Sequence, residues 1–450
     1  MYKLVPRMFR KFIGSKISLR TFLKSCNYLI KIVTWTKEVS LINKALLHIS
    51  SPDNHQDYAG LVILSGSIVY LDSNSSDNNL EISFNEKEWT LIKTNKTNLS
   101  DSFELVINSF LLPQGVNIIY IRLHNSLGDE ILKSKITFGV NNTSTLAGSL
   151  TECFRDSNDC QLILQGMLDS SNFPYSRCEV VAWFDRQDAL DYVPYIVNKY
   201  SLPSEFIQHF TNFVNLGYIS LDSFIPLNLV AQVNNEIDRL IESGSVHYVS
   251  ESGSRIEHLF EKSQSVRKIW TYPPIIDILS ALFDNPAFPC QTLNFLHGSQ
   301  QDVHQDSIHL TSFPEGYMCG VWVALENISP HSGPLVVYPK SHKLPVLYAK
   351  TVGIDKLNKY WDRHLINQYS EKYLPRIKSD LSELNLEPIE YIPESGSVLI
   401  WHANLAHAGS ARKIPNLTRK SMVSHYFAQD VISYYDTTGS VGCKHNITTI

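Results

Sequence analysis

Thr292-Leu293-Asn294-Phe295-Leu296, then His304-Gln305-Asp306, then Met318-Cys319-Gly320-Val321-Trp322-Val323-Ala324-Leu325 form the stretch on which the reading of this chain turns. The two flanking runs are rich in apolar and aromatic residues and read as strands. On a strand, residues two apart share a face, so the spacing predicts that His304 and Asp306 reach toward one point. The same tripeptide stands at His55-Gln56-Asp57, but there it follows Ser51-Pro52-Asp53-Asn54, a loop-like setting. A chain of this length contains roughly one His-x-Asp by chance, so the surroundings and not the triplet select the copy at 304.

Far downstream stand His407 and Arg419. Two imidazoles and one carboxylate are the ligand set of a mononuclear non-haem Fe(II) site that leaves coordination positions open. A guanidinium shortly after the second histidine adds a rigid fork suited to a carboxylate. Together these residues point to an iron oxygenase with a dicarboxylate co-substrate. His402 lies on the same apparent strand that leads to His407 and competes with it as a ligand. His309, His342 and His425 read as local hydrogen-bonding or packing histidines.

Further blocks extend the pattern: Val321 to Glu326, Gly333-Pro334-Leu335-Val336-Val337-Tyr338-Pro339-Lys340-Ser341-His342-Lys343, Gly396 to His402, Leu405 to Ser410, Thr418 to Ser421 and His425-Tyr426. In this order they resemble the phytanoyl-CoA dioxygenase family over about residues 205 to 440. The resemblance implies a double-stranded β-helix, a jelly-roll or cupin-like fold, that uses Fe(II), 2-oxoglutarate and O2. It implies hydroxylation of a small-molecule or acyl-type substrate, with succinate and CO2 as co-products. Position by position, it makes His304, Asp306 and His407 the metal ligands and favours His407 over His402. Arg419 corresponds to the residue that binds the distal carboxylate of 2-oxoglutarate, Ser410 to a serine that helps hold it, and Trp322 to an indole lining that pocket. Gln305 is a further candidate contact. The chain reads His407-Ala408-Gly409-Ser410 where the family has His-Gly-Ser, so a small bulge is expected after the ligand. With Asp306 present no position is vacated for chloride, which favours hydroxylation over halogenation.

Composition sets outer limits. The 450 residues suggest two or three domains, and 43% hydrophobic with 18% charged is ordinary globular usage. A formal charge of −5 argues against nucleic acid as a partner. The seven cysteines are scattered, with no Cys-x-x-Cys pair, so neither a disulfide framework nor a zinc site is indicated, and a cytoplasmic location is expected. Residues 1–37 carry Lys and Arg interleaved with Phe, Ile and Leu, and no acid precedes Glu38. No apolar run there is long enough to span a bilayer, and charges interrupt every candidate signal core. Within the N-terminal segment 1–42, a basic amphipathic helix over the first 37 residues remains, able to touch an anionic membrane, a protein partner or its own fold.

From 43 to 145 short apolar runs alternate with turn-rich pieces and predict an immunoglobulin-like β-sandwich. Leu61–Leu64 and Ile68–Leu71 read as separate strands, and Trp89 and Tyr70 as candidates for stacking on a carbohydrate. Residues 146–204 read as a partly helical connector, with helices over 153–168 and 187–200. The oxygenase domain is expected over 205–440. Inside it, residues 344–386 form an insertion expected to wall the site, and its Lys350, Lys359, Arg363, His364 and Arg376 are candidates to meet an anionic substrate. The competing readings are a non-catalytic scaffold on an oxygenase-like barrel and a cupin-like metalloenzyme without an organic co-substrate.

Overall fold

A computed structural model describes residues 39–42, 45–70, 78–97, 100–155, 160–248, 255–355 and 361–442. The basic segment over 1–37 and Lys359 lie outside the described residues. The chain divides into two compact units: residues 1–141 with 162–165, and residues 142–161 with 166–450.

The first unit holds β1 (Val39–Ile42), β2 (Ala45–Ser51), β3 (Asp57–Tyr58), β4 (Leu61–Tyr70), β5 (Asn79–Ser83), β6 (Thr90–Ile92), β7 (Asn95–Lys96), β8 (Ser100–Asn108), β9 (Gly115–His124), β10 (Glu130–Val140) and β11 (Ile163–Leu164). One sheet runs β1-β2-β4-β8-β11, with β7 also on β8, and a second runs β3-β10-β9-β5-β6. Leu64, Ile68, Leu105 and Ile107 from the first sheet share an apolar cluster with Ile82, Ile119, Ile121 and Ile136 from the second. The two strands expected across 61–71 are one, and its buried and half-buried residues alternate without interruption through Ser65-Gly66-Ser67. Gly66 marks a close approach rather than a turn, since a Cβ there would meet the His48 carbonyl oxygen at 2.4 Å and the Phe103 ring at 2.7 Å. Both candidate stacking residues are engaged within the unit. The Arg122 guanidinium lies 3.9 Å from the centre of the Trp89 ring, and Tyr70 is buried with its hydroxyl donating to Asp101 at 2.9 Å.

The region expected to be a connector is divided between the units. Thr145–Arg155 is a helix of the second unit, whereas Ile163–Leu164, read from sequence as helical, pairs antiparallel with β8. Ala189–Lys199 is helical as predicted.

The second unit contains β12 (Tyr218–Leu221), β13 (Ile256–Glu257), β14 (Ala287–Phe295), β15 (Leu310–Phe313), β16 (Met318–Ala324), β17 (Leu335–Val337), β18 (Ile389–Tyr391), β19 (Val398–His402), β20 (His407–Gly409), β21 (Ser421–Ala428) and β22 (Ile432–Tyr435). Six of them form an antiparallel sheet in the order β12-β19-β16-β21-β14-β13, and smaller sheets run β18-β17-β20 and β15-β22. The large sheet is buried on both faces. Val321, Val323, Val398 and Ile400 pack on one face against Phe213, Val233 and Ile278 from helices Phe206–Leu216, Leu227–Glu242 and Pro273–Phe283. The alternate residues Trp322, Ala324, Leu399 and Trp401 turn inward, against Leu335, Val337 and Leu405. This double burial is why the central strands read as unbroken apolar runs instead of alternating ones. Two sheets closing on one interior give the mainly β, cupin-like jelly roll with flanking helices.

The insertion folds as a helix over Arg363–Gln368, a π-helical turn over Tyr369–Tyr373 and a helix over Leu374–Glu383. Cys290 on β14 is disulfide-bonded, which the scattered cysteine spacing did not suggest. Among the described residues no helix is long and apolar enough to cross a membrane.

Candidate metal centre

His304 and His407 are backbone partners. The amide of each donates to the carbonyl of the other, at 3.0 and 2.9 Å, in an isolated antiparallel bridge. Residues that exchange both bonds stand directly opposite, so their side chains leave the same face together. His407 is held from its other side by β17, in register with Val337. The expectation of a regular strand through 304–306 is therefore corrected. Only His304 is bridged, and Asp306 opens a short 3-10 turn over Asp306–Ile308.

The imidazoles are fixed by their own backbone. Nδ1 of His304 lies 2.9 Å from the Asp302 carbonyl, and Nδ1 of His407 lies 3.0 Å from the Leu405 carbonyl. A carbonyl only accepts, so Nδ1 carries the proton in each ring and Nε2 keeps its lone pair; that of His304 faces the Gln301 side-chain amide at 3.2 Å, which a metal would displace. Oδ1 of Asp306 stands 3.8 Å from Nε2 of His304 and 3.6 Å from Nε2 of His407. Metal bonds of about 2.0–2.2 Å to imidazole and carboxylate can bridge donors up to about 4 Å apart, which both pairs satisfy. Among the described residues, these three form the cluster whose ligand atoms all lie within 4.8 Å of one another.

The other carboxylate oxygen is also engaged. Oδ2 of Asp306 accepts from the Trp401 indole at 2.8 Å and lies 3.3 Å from Nε2 of His425. Nδ1 of His425 meets the Gln291 side chain at 2.9 Å, and Gln291 Oε1 in turn accepts from the Tyr435 hydroxyl at 2.8 Å. The amide oxygen is occupied, so Gln291 presents its NH2 to Nδ1, and His425 donates from Nε2 to the carboxylate. Asp306 is thus held in one orientation with Oδ1 facing the histidines. Burial alone would raise the Asp306 carboxyl, but the imidazoles of His407 and His425 hold it well below the usual carboxylate range. Burial, reinforced by His407, pushes His304 well down, so both groups are in their ligating forms at neutral pH.

A cavity of about 630 Å³ opens beside the three ligands and is also lined by Arg419, Trp322, Phe295 and Leu335. Arg419 is 2% exposed, and its guanidinium carbon lies 5.5 and 5.9 Å from the ring centres of Phe295 and Trp322. Among the described residues it forms no ion pair, and neither its Nε nor the Trp322 Nε1 has a hydrogen-bond partner. Burial lowers its pKa to about 10, so it remains charged at neutral pH. A buried cation with unmatched donors on a cavity wall requires an anion to complete it.

Two expected contacts are not placed on that wall. Gln305 is fully buried and points the opposite way from its neighbours, its amide donating to the Asn404 carbonyl at 3.1 Å. Gln305 itself is extended, with φ −98° and ψ 138°, so its side chain leaves on the face opposite His304. Ser410 spends both its amide and its hydroxyl on the Pro334 carbonyl, each at 2.9 Å. The expected bulge is absent, because β20 pairs with β17 in unbroken register from His407 to Gly409. The extra residue therefore moves the serine from two to three places after the ligand, which turns it to the other face.

His402 is not part of the cluster: its Nε2 meets Asp185 at 3.1 Å and its Nδ1 accepts from the Asn404 amide. His342 is buried against the Val214 carbonyl at 3.1 Å. The basic residues Lys350, Arg363, His364 and Arg376 do not line the cavity, and Arg376 pairs with Asp380 at 2.8 Å. His55 and Asp57 are exposed and belong to the first unit. Sequence reasoning passed over Trp401 and His425 as supports of Asp306. One signal was present for Trp401: Gly320 breaks an otherwise bulky run, stands opposite Trp401 in the sheet, and a Cβ on it would lie 2.1 Å from the indole.

Two histidines and one carboxylate on one face, with open positions above them, define a site of the non-haem iron type. Residues 213–420, within the second unit, match the family model of phytanoyl-CoA dioxygenase (PhyH). The chain is 28% identical over 182 residues to a probable phytanoyl-CoA dioxygenase of Caenorhabditis elegans, covering 38% of this chain and 53% of that protein. It is 28% identical over 145 residues to the peroxisomal phytanoyl-CoA dioxygenase of Homo sapiens, covering 32% and 37%. The chain thus spans about half the length of the first of these relatives and just over a third of the second. Among solved structures, the α-ketoglutarate-dependent epimerase SnoN from nogalamycin biosynthesis superposes with a TM-score of 0.39 at 18% identity, covering 53% of this chain and 87% of that one. Iron-bound EctD from S. alaskensis superposes with a TM-score of 0.38 at 18% identity, covering 48% and 75%.

Proposed function

We propose that this protein is an Fe(II)- and 2-oxoglutarate-dependent dioxygenase that hydroxylates a small molecule. The observation that carries this reading is the buried, unpaired Arg419 on the same cavity wall as the three ligands. A scaffold needs no such cation, and neither does a metalloenzyme without an anionic co-substrate.

Nε2 of His304, Nε2 of His407 and Oδ1 of Asp306 would hold the iron, and Arg419 with the Trp322 indole would hold the distal carboxylate of 2-oxoglutarate. Bound iron, 2-oxoglutarate and O2 supply an oxidative decarboxylation in which one oxygen atom enters succinate and the other enters a substrate C–H bond, with release of CO2. The chain contributes orientation and exclusion. The Asp302 and Leu405 carbonyls lock the two histidines as Nε2 ligands. Trp401 and His425 keep Oδ2 of Asp306 occupied, so the carboxylate would offer the metal a single oxygen. Trp322, Phe295 and Leu335 keep the guanidinium in an apolar setting, where its charge acts over a short range with little screening. Gln305 and Ser410 take no part in this assignment. The first unit carries no comparable cluster among its described residues, and we assign it an accessory role.

The test is an anaerobic titration of 2-oxoglutarate into the iron-loaded chain, followed by calorimetry. Saturable uptake in the wild type and its loss in Arg419→Ala are expected. Equal uptake by both proteins would remove the co-substrate from this reading.

A further inference from the structure

The cavity wall contributed by the insertion is aromatic, although the sequence drew attention to its basic residues. His309, Trp361 and Tyr369 form a contiguous cluster, with ring centres 5.3 Å apart for His309–Trp361 and His309–Tyr369 and 5.4 Å apart for Trp361–Tyr369. The cluster reaches the ligand set directly, since the His304 and His309 rings are 5.5 Å apart. Trp361 is 42% exposed, a large ring at the cavity with part of its surface uncovered.

This wall is tied to the metal turn. Tyr369 stacks on Tyr373 at 4.9 Å with 27° between the planes, and the Tyr373 hydroxyl accepts from the Gln305 amide at 2.8 Å. Both tyrosines lie in the π-helical turn Tyr369–Tyr373, a widened i→i+5 geometry found frequently at functional sites. Ile366 and Leu374 flank the rings on the same cavity wall, so their surroundings are apolar.

The charges of the cavity point the same way. Its cations among the described residues are Arg255 and Arg419, apart from histidines. Arg255 is paired with Glu257 at 3.0 Å, and Arg419 is committed to the co-substrate. Asp302 is paired with Lys378 at 3.4 Å. Among the described residues no spare arginine or lysine lines the cavity to receive the phosphate groups of a coenzyme A thioester.

We propose that the substrate is a flat, ring-bearing molecule without strong charge, seated on Trp361 with His309 and Tyr369 behind it, and not a coenzyme A thioester. This inference rests on the reading of the site as a 2-oxoglutarate-dependent oxygenase. Stacking on the cluster holds one ring face against the wall, so the ring edge nearest His304 is the part presented to the metal. Offset or edge-on contact with several rings gives an aromatic ligand binding energy beyond its buried area.

The probe is acridone, a planar tricycle, titrated anaerobically into the iron-loaded full chain and followed by its own fluorescence. Saturable binding is expected, with Trp361→Ala weakening it about tenfold and Trp361→Phe restoring it to within about threefold. Palmitoyl-coenzyme A and methyl β-glucoside serve as competitors and are expected to displace nothing at matched concentration. Displacement by either, or equal binding by Trp361→Ala and wild type, overturns the inference. In a separate arm, 2-oxoglutarate is titrated into the wild type alone. Uptake of 2-oxoglutarate without Trp361-dependent acridone binding sinks only the substrate class. Failure to take up 2-oxoglutarate sinks the oxygenase reading, and any acridone site would then not be a substrate site.

Discussion

His-Gln-Asp occurs twice in this chain, and the two copies have nothing in common beyond their letters. At 55–57 the histidine is exposed with φ of 63°, its amide donates to the Thr137 carbonyl at 2.7 Å, and the aspartate begins a two-residue strand beside β10. At 304–306 the histidine is bridged to a second histidine 103 positions downstream, and the aspartate turns back beneath both rings. The first copy uses its backbone, and the second uses its side chains. A tripeptide therefore becomes a metal site only when the fold supplies the third ligand from far away in sequence, while a carbonyl two residues earlier fixes each ring tautomer.

The largest expected effect breaks the comparison at its root. Asp306→Ala removes the one anionic ligand and should abolish stoichiometric iron uptake, measured as bound iron after anaerobic reconstitution and desalting. Asp57→Ala should bind iron like the wild type. Equal loss in both variants would mean that the geometry at 304–306 is not the metal site. Next comes Arg419→Ala, which leaves any bound dicarboxylate without its buried partner. Losing such a charge-paired contact costs about 2–5 kcal/mol, a fall in 2-oxoglutarate affinity of roughly 30-fold to several thousand-fold. Arg419→Lys should recover only part of this, because an ammonium lacks the planar fork.

A smaller effect sharpens what distinguishes the second copy, namely the support of its aspartate. Trp401→Phe keeps the packing but removes the indole N–H from Oδ2 of Asp306, and metal affinity should fall about 10- to 100-fold. Gly320→Ala should act in the same direction by driving a methyl group into the indole. A wild-type metal affinity in Trp401→Phe would show that the bond to Oδ2 is incidental.

These supports mark where the sequence stops being informative. The meeting of His304, Asp306 and His407, the place of Arg419 on their cavity and the core strands were legible, through apolar runs for strands buried on both faces and His-x-Asp beside them. The orientation of Ser410 was also within reach, since it follows from the two-residue alternation of extended chain, yet the family pattern suggested otherwise. What could not be read is whatever depends on which distant residues meet. Trp401 and His425 reach Asp306 from 95 and 119 positions away, and Tyr373 reaches Gln305 across 68. The single strand through Ser65-Gly66-Ser67 was hidden for the same reason, since only the position of Phe103 reveals why a glycine stands there.

Histidine burial in the second unit supplies a pH test. His342 is 5% exposed, and burial with help from His402 lowers its pKa from 6.5 to about 3. Between those values the unfolded chain binds a proton that the folded one refuses, so stability rises with pH in that window and is lost as pH falls from about 6.5 toward 3. By pH 5 this single group should cost on the order of 1–2 kcal/mol. Urea melts of wild type and His342→Gln at pH 7 and pH 5 measure it. The variant should lose less stability over that interval, and an identical loss in both proteins would assign the acid sensitivity elsewhere.

The smallest effect comes from asking what His55 does. Its φ of 63° lies in the left-handed region, where a side chain bearing a Cβ is strained and asparagine is tolerated better than most residues. Its imidazole is exposed, and the interaction that fixes the segment is the amide bond to Thr137, together with the Asn54 side chain accepting from the Thr137 amide at 3.0 Å. His55→Asn keeps both and relieves some of the strain, so the first unit should gain stability by no more than about 0.5 kcal/mol, with iron content unchanged. His304→Asn, the same substitution at the matching letter, should lose the metal altogether. If His55→Asn instead destabilised the chain by more than about 1 kcal/mol, the imidazole at 55 would be making a contact that matters, and the division between a backbone copy and a side-chain copy would fail at its weaker end.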